Sequence, residues 1–358
     1  LVHIFSRRYD NLLSTGRLSQ PFLITGSVTH DKGNGNDVEL PSVTTQLPVY
    51  NEMNVVERII DAVAAFRYPQ GRHEIQVLDD STDETSAIVA AKVGQLRERG
   101  VAIRHLRRGR RAGFKAGALR EGLTKAQGDF LAIFDADFLP PPDFLLRTMP
   151  LFVKEPRLGF IQARWGHLNE NESWLTRLQT IGINGHFMVE QGARSTGGLF
   201  MNFNGTAGVF RKAAILDAGN WQGDTLTEDM DLSYRIQLRG WESRYLIDLV
   251  APAEIPRDLN AFKSQQFRWA KGSTQTALKL LPRIMRSSAS PFAKFQAFMH
   301  MTHYLIHPLM LTLALLAPFL LMQEVRFLSG LGLWGFGALL LISCTGPSRM
   351  YLVAERAL

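Results

Sequence analysis

Two aspartates one residue apart close a short apolar run, Phe130-Leu131-Ala132-Ile133-Phe134-Asp135-Ala136-Asp137, and Pro140 follows them. The run has the length of a strand buried on both faces. Alternation would set both carboxylates on one face at its C-terminal end, the edge where open α/β sheets bind ligands. Two hard oxygen donors there suit Mg²⁺ or Mn²⁺, and such a cation can hold a diphosphate. A strand running into an acidic turn is the plainer reading. A second acid pair, Asp79-Asp80, ends another apolar run. Carboxylates so placed can accept hydrogen bonds from a base or ribose. Capping of the next helix accounts for Ser81, Thr82 and Asp83 but not for the two acids before them. A basic stretch, Arg107 to Lys115, leads into a helix start and suits phosphate, with Lys115 foremost. A solvated charge run is the commoner meaning of such a cluster.

Further acids stand at Thr227-Glu228-Asp229, where Thr227 fits a helix N-cap and the acids fit the dipole. The same place could hold a general base rigidly. In Gln265-Gln266-Phe267-Arg268-Trp269, the Trp-Arg pair suits either a snorkelling interfacial contact or a sugar ring with a diphosphate beside it. Trp165, His167, Trp174 and His186 are aromatic and polar enough for sugar, and equally ordinary for packing. Asn204-Gly205-Thr206 lets backbone approach a ligand closely, or is a plain turn.

The elements that must position these residues alternate from residue 43 onward. Strands are predicted over 43–50, 74–78, 101–106, 129–137 and 158–164, and helices over 51–66, 84–99, 113–125, 143–154 and 227–240. This alternation implies a Rossmann-like α/β fold with a mostly parallel sheet. The G-x-G-x-x-G turn is absent; Pro48-Val49-Tyr50-Asn51-Glu52 stands in its place, which argues against a nicotinamide or flavin cofactor. Residues 258–281 read as an amphipathic helix or pair of helices at a membrane surface, carrying Lys263, Arg268, Lys271 and Lys279. Runs at 304–322 and 327–345 approach the roughly 20 residues of a bilayer span, and the link 323–326 makes them a hairpin. Basic residues before the first span place the preceding body in the cytoplasm.

The organisation expected is a juxtamembrane segment and linker over 1–40, a catalytic domain over 41–257, interface helices over 258–303 and a membrane hairpin over 304–358. The chain has 358 residues and a net charge of +7, a modest surplus that suits anionic ligands or a membrane surface and is no nucleic-acid signature. A single cysteine, Cys344, excludes an internal disulfide framework and a cysteine zinc site. The start at Leu1 and the end within an apolar region read as a fragment of a longer protein without a visible signal peptide.

Asp79-Asp80, Asp135-Ala136-Asp137, Thr227-Glu228-Asp229 and Gln265 to Trp269, in that order and ahead of apolar spans, resemble the processive membrane glycosyltransferases of family 2, the cellulose synthase superfamily. Local wording such as Gln162-Ala163-Arg164-Trp165 is similar to the cellulose-synthase-like A and C branches, which include mannan and glucomannan synthases. Thr227, where plant members of that branch tend to carry Val, leaves the donor open between GDP-mannose and UDP-glucose. The resemblance implies a GT-A type domain that binds a nucleotide sugar. It implies that Asp79 and Asp80 hold the nucleoside, and that Asp135 and Asp137 hold Mg²⁺ or Mn²⁺ with Asp137 nearer. Lys115 and Arg268 would neutralise phosphate, and Asp229 would be the base. Trp269 would stack on the acceptor, with Glu228 and Gln265 on the same side. The implied reaction is inverting transfer to a growing β-linked glycan beside membrane lipid. A single-sugar enzyme acting on a lipid, similar to ceramide glucosyltransferase, shares much of the motif set.

Overall fold

The computed structural model describes residues 39–322 and 331–358. The expected juxtamembrane segment, but for its last two residues, and the link 323–326 lie outside that range. Seven strands form one sheet in the order β3-β2-β1-β4-β6-β5-β7. They are β1 (Val43–Val49), β2 (His73–Asp79), β3 (Ile103–Arg107), β4 (Phe130–Ile133), β5 (Leu158–His167), β6 (Gly208–Arg211) and β7 (Glu242–Ala253). The chain steps outward from β1 through β2 to β3, then returns to place β4 on the other side of β1, all parallel. That reversal opens a crevice at the C-terminal edge between β1 and β4. β6 is the exception, antiparallel to both β4 and β5, while β5 and β7 pair in parallel.

Helices cover both faces. Apolar residues of α1 (Val56–Ala64), α2 (Thr85–Glu98) and α4 (Phe144–Lys154) pack on one side through Ile59, Val89 and Phe144. On the other side lie α3 (Phe114–Lys125), α7 (Lys212–Asp217) and α8 (Glu228–Leu238), through Leu119, Ile215 and Leu232. Between β5 and β6 run α5 (Trp174–Gly185), one turn-and-a-half of π-helix (His186–Gln191) and the short α6 (Gly192–Thr196). Such a helix bulge is rare and costs hydrogen-bond geometry. The long helix α9 (Leu259–Arg286) is continuous, so of the two forms expected, one helix or a pair, the single helix is found, capped by the Asp258 carboxylate on the Asn260 and Ala261 amides. A separate apolar cluster of Tyr234, Leu280, Ile284 and Met301 ties α8, α9 and α10 (Pro291–Thr302) together. A 3₁₀ turn, His303–Leu305, leads into α11 (Ile306–Met322). Among the described residues one stretch, Pro291–Phe319, is long and apolar enough to cross a membrane, with none of its most apolar window buried. The described part of the second predicted span lies in α12 (Leu331–Arg356), which packs against α5.

Two expectations change. The helix predicted from residue 51 begins only at Val56. Asn51 adopts a left-handed φ of 56°. Its amide donates to Ser81 Oγ at 3.0 Å, and its side-chain oxygen accepts the Thr82 amide at 2.9 Å. This brace holds the β1–α1 and β2–α2 loops together. β4 ends at Ile133, so Asp135 and Asp137 sit on the turn beyond it, where the Phe138 amide donates to the Asp135 carbonyl. Their shared direction comes from that turn and not from strand alternation.

Candidate active site

A cavity of about 690 Å³ opens at the crevice between β1 and β4. Asp80, Lys115, Asp135, Asp137, Glu228, Asp229, Gln265, Arg268 and Trp269 all line it. Residues separated by nearly two hundred positions thus meet because two loops and three helices present them at one sheet edge.

Its floor is the acidic turn after β4. Thr206 Oγ1 accepts the Asp135 amide at 2.8 Å, which fastens this turn to the 204–207 loop before β6. Lys115, at the start of α3, donates to Asp135 Oδ1 at 2.5 Å and to the Gly205 carbonyl at 3.0 Å. Gly205 has a φ of +83°, and a Cβ there would stand 3.4 Å from Asp229 Oδ2. Glycine is favoured there by conformation, while the acid stands at ordinary contact distance. Burial pushes the Asp137 carboxyl up to about 7, and the neighbouring Asp135 charge adds to it. Burial works against the Lys115 charge, but Asp135 and Glu228 outweigh it and its pKa is raised. The floor carries more negative charge than its one lysine balances.

The two aspartates at the end of β2 part company. Asp80 lines the cavity, gripped side-on by Nε and Nη2 of Arg108, which also donates to the Ala112 and Phe114 carbonyls. The basic loop is thus folded against one acid. Asp79 does not line the cavity. Its side chain is fully buried and takes hydrogen bonds from the Ser81 amide (2.8 Å), the Ser86 hydroxyl (2.7 Å) and His105 (2.8 Å). Although burial alone would raise its pKa, these bonds hold it well below the usual carboxylate range. In this position the residue ties β2 to α2 and β3. Arg111, also at the cavity wall, lays its guanidinium 3.2 Å from the centre of the Tyr50 ring.

Opposite the floor, α8 presents Glu228 and Asp229. Burial raises both carboxyls, and each lies near the other's charge and that of Asp135. Thr227 stands at the cap position, but its hydroxyl makes no capping bond; it pairs with Thr276 Oγ1 of α9 at 3.0 Å. The reason is proximity: α9 crosses so near that a Cβ on Gly272 would lie 2.5 Å from Thr227 Cγ2. Lys279 adds a clamp, reaching Asp224 at 2.7 Å and Asp231 of α8 at 2.9 Å. The helix bearing Gln265, Arg268 and Trp269 is therefore locked to the helix bearing Asp229.

Sequence reasoning missed Glu52, which also lines the cavity and whose carboxyl burial and Asp135 raise. It missed Arg111 as a wall residue as well. Trp165 and His167 reach the cavity, whereas Trp174 is largely solvent-exposed and lies outside it. Among the described residues no cluster of three or more His, Cys, Asp or Glu side chains is arranged as a metal site. Asp135 and Asp137 are two carboxylates at the cavity floor that could hold a cation. One or two carboxylates plus substrate phosphates is how Mg²⁺ is commonly held.

Comparison with known proteins follows the same lines. Residues 41–272 match the family described as "Glycosyltransferase like family 2". The chain is 41% identical over 288 residues to the probable glucomannan 4-beta-mannosyltransferase 9 of Oryza sativa subsp. japonica, covering 79% of this chain and 54% of that protein. It is 41% identical over 269 residues to glucomannan 4-beta-mannosyltransferase 2 of Arabidopsis thaliana, covering 74% and 50%. The chain thus spans about half the length of these curated relatives. Among solved structures, the mannosyltransferase PcManGT from Pyrobaculum calidifontis, in complex with GDP-Man and Mn²⁺, superposes with a TM-score of 0.61 at 20% identity, covering 99% of this chain and 95% of that one. S. aureus TarS 1–349 in complex with UDP-GlcNAc gives 0.54 at 15% identity, covering 74% and 72%. These two likenesses establish the fold, the expected GT-A type. The profile match takes in the acidic turn, the α8 acids and Trp269, and with it this chain belongs to the glycosyltransferase-like family 2.

Proposed function

We propose that the chain is the catalytic part of a membrane-bound enzyme that transfers a hexose from a nucleoside diphosphate sugar to a β-linked glycan. The observation that carries this reading is the convergence of Asp137, Asp229 and Trp269 on one cavity. Mannose is the favoured sugar and GDP-mannose the favoured donor, because the relatives at 41% identity are named as mannosyltransferases. UDP-glucose is the second donor to test.

Asp229 takes the proton of the acceptor hydroxyl as its oxygen bonds to the anomeric carbon. The bond from that carbon to the diphosphate oxygen breaks on the opposite face, so an α-linked donor gives a β-linked product. A pKa above the ordinary carboxylate value suits Asp229 to this task, since a base works best near the operating pH. Lys115 and Arg268 offset charge on the departing nucleoside diphosphate. Trp269 stacks on the acceptor ring and holds its hydroxyl in line. Mg²⁺ or Mn²⁺ on Asp135 and Asp137 would supply charge neutralisation for the donor diphosphate. The apolar stretch Pro291–Phe319 and the exposed Phe267, Phe292 and Phe295 before and within it meet the bilayer, with the catalytic domain on the cytoplasmic side.

The test is incubation of membranes carrying the chain with radiolabelled GDP-mannose or UDP-glucose, with Mg²⁺, Mn²⁺ or a chelator. Labelled polymer cut by an endo-β-mannanase, and lost with the chelator, is the expected result. A one-sugar lipid product would replace the polymer reading by the lipid one.

A further inference from the structure

Trp165 and His167 lie two residues apart on β5, on one face of the strand, and both line the cavity. Each carries a buried ring nitrogen, Trp165 Nε1 and His167 Nδ1, with no hydrogen-bond partner among the described residues. Buried polar atoms are nearly always paired, so two orphans on side chains of one cavity wall leave hydrogen-bonding capacity that a ligand can take up. We propose that they form a sugar-hydroxyl subsite, and that Glu355 of α12 sets, through Asn184, the hydrogen-bonding role His167 plays in it. The inference rests on the proposed glycosyl transfer and names residues that reading leaves unused.

The chain of reasoning starts at the carboxylate. Asn184 Nδ2 donates to Glu355 Oε1 at 2.9 Å, and Asn184 Oδ1 lies 3.1 Å from His167 Nε2. A carboxylate only accepts, so it fixes which way the amide points. The amide oxygen then faces the imidazole, and Nε2 must carry the hydrogen. Burial lowers the His167 pKa, so the ring is neutral and Nδ1 is a bare acceptor. Trp165 Nε1–H can only donate. A donor and an acceptor on adjacent same-face positions match a pyranose, whose hydroxyls do both. The Trp165 ring is held rigid between Phe138 (centroids 5.3 Å apart) and Phe187 (5.2 Å). Glu355 is itself held by Arg177 at 3.2 Å. Its helix closes on α5 where Gly185 leaves room for the Tyr351 ring, 2.7 Å from where a Cβ would be.

The experiment uses the full chain in membranes, with GDP-mannose and β-1,4-mannotetraose, and in parallel UDP-glucose and cellotetraose. Trp165→Phe, read beside a thermal melt for the packing lost with the larger ring, removes the N–H and keeps an aromatic ring between Phe138 and Phe187. It should raise the acceptor KM about three- to tenfold, with donor KM and kcat little changed, as expected for one lost hydrogen bond. Glu355→Ala should raise the acceptor KM similarly, and Glu355→Gln should restore it, because the amide oxygen still accepts from Asn184. Acceptor KM values at the wild-type level in Trp165→Phe and Glu355→Ala overturn the subsite. A Glu355→Ala defect that Gln does not rescue assigns Glu355 to the Arg177 ion pair and overturns the positioning role. If wild type turns over a donor while the variants match it, this inference alone falls. If wild type releases nucleotide from neither donor, the proposed function falls first and the subsite with it.

Discussion

The molecule holds two pairs of adjacent acids near one crevice and treats them in opposite ways. Asp79, in the first pair, is buried, bonded to Ser81, Ser86 and His105, and held strongly acidic. Its neighbour Asp80 is gripped by Arg108. Glu228 and Asp229, in the second pair, are also withdrawn from water, but their carboxyls are raised and Lys115 is the cation set against them and Asp135. Burial is common to both, so burial does not separate a structural acid from a reactive one. The supply of donors does. A carboxylate given its full set of hydrogen bonds is stable as an anion, and one denied them keeps its affinity for a proton.

The largest expected effect tests the second pair. Asp229→Asn should cut transfer by about a thousandfold while leaving the melting temperature at or above the wild-type value, because it removes a poorly balanced charge. Rate measurements with both donors beside a thermal melt check this. Near-normal synthesis would remove Asp229 as the base. Next in size, Asp79→Ala should cost about 2–3 kcal/mol of stability, since it leaves His105 and Ser86 without their partner. Chemical denaturation reads it, and a loss of activity at full stability would reverse the assignment.

The pH dependence should carry both signs. Asp79 has its folded pKa lowered, so its contribution is present above the ordinary carboxylate value and is lost as pH falls below it. Glu228, Asp229 and Asp137 have theirs raised, so these sites oppose folding increasingly as pH rises through and above the ordinary carboxylate value. Asp79→Ala should therefore flatten the acid limb of the stability curve, and Asp229→Asn the limb toward neutral pH. Transfer in the wild type should decline on the acid side as the Glu228–Asp229 pair takes up a proton. The smallest effect is expected at Thr227→Val, which forfeits the Thr276 hydrogen bond for about 1 kcal/mol. Donor preference should stay as it is, because the hydroxyl is spent on α9. A switch between GDP-mannose and UDP-glucose would give Thr227 a direct part in selection.

Much of this was legible in the residues. Apolar runs spaced by helical stretches specify the β–α alternation, and Asp135, Asp137, Asp229 and Trp269 stand out by type and spacing. The family expected from those motifs is the family found. What stayed hidden depends on neighbours distant in sequence. Asp79 and Asp80 are the same residue type side by side, and their partners, among them His105 for one and Arg108 for the other, tell them apart. Thr227 reads as a cap until Thr276 is seen beside it. The antiparallel course of β6 beside β4, with the 204–207 loop fastened to the β4 turn, is announced by no local pattern.

The close crossing at Gly272 and the Lys279 bridge have a mechanical corollary. Asp229 and Trp269 ride on a single girder, while the acidic turn and Lys115 belong to the sheet and its loops. A displacement carried along α9 would leave the spacing of Asp229 and Trp269 intact and change their distance from Asp135 and Asp137. The dimension open to adjustment is the gap between the two halves of the cleft.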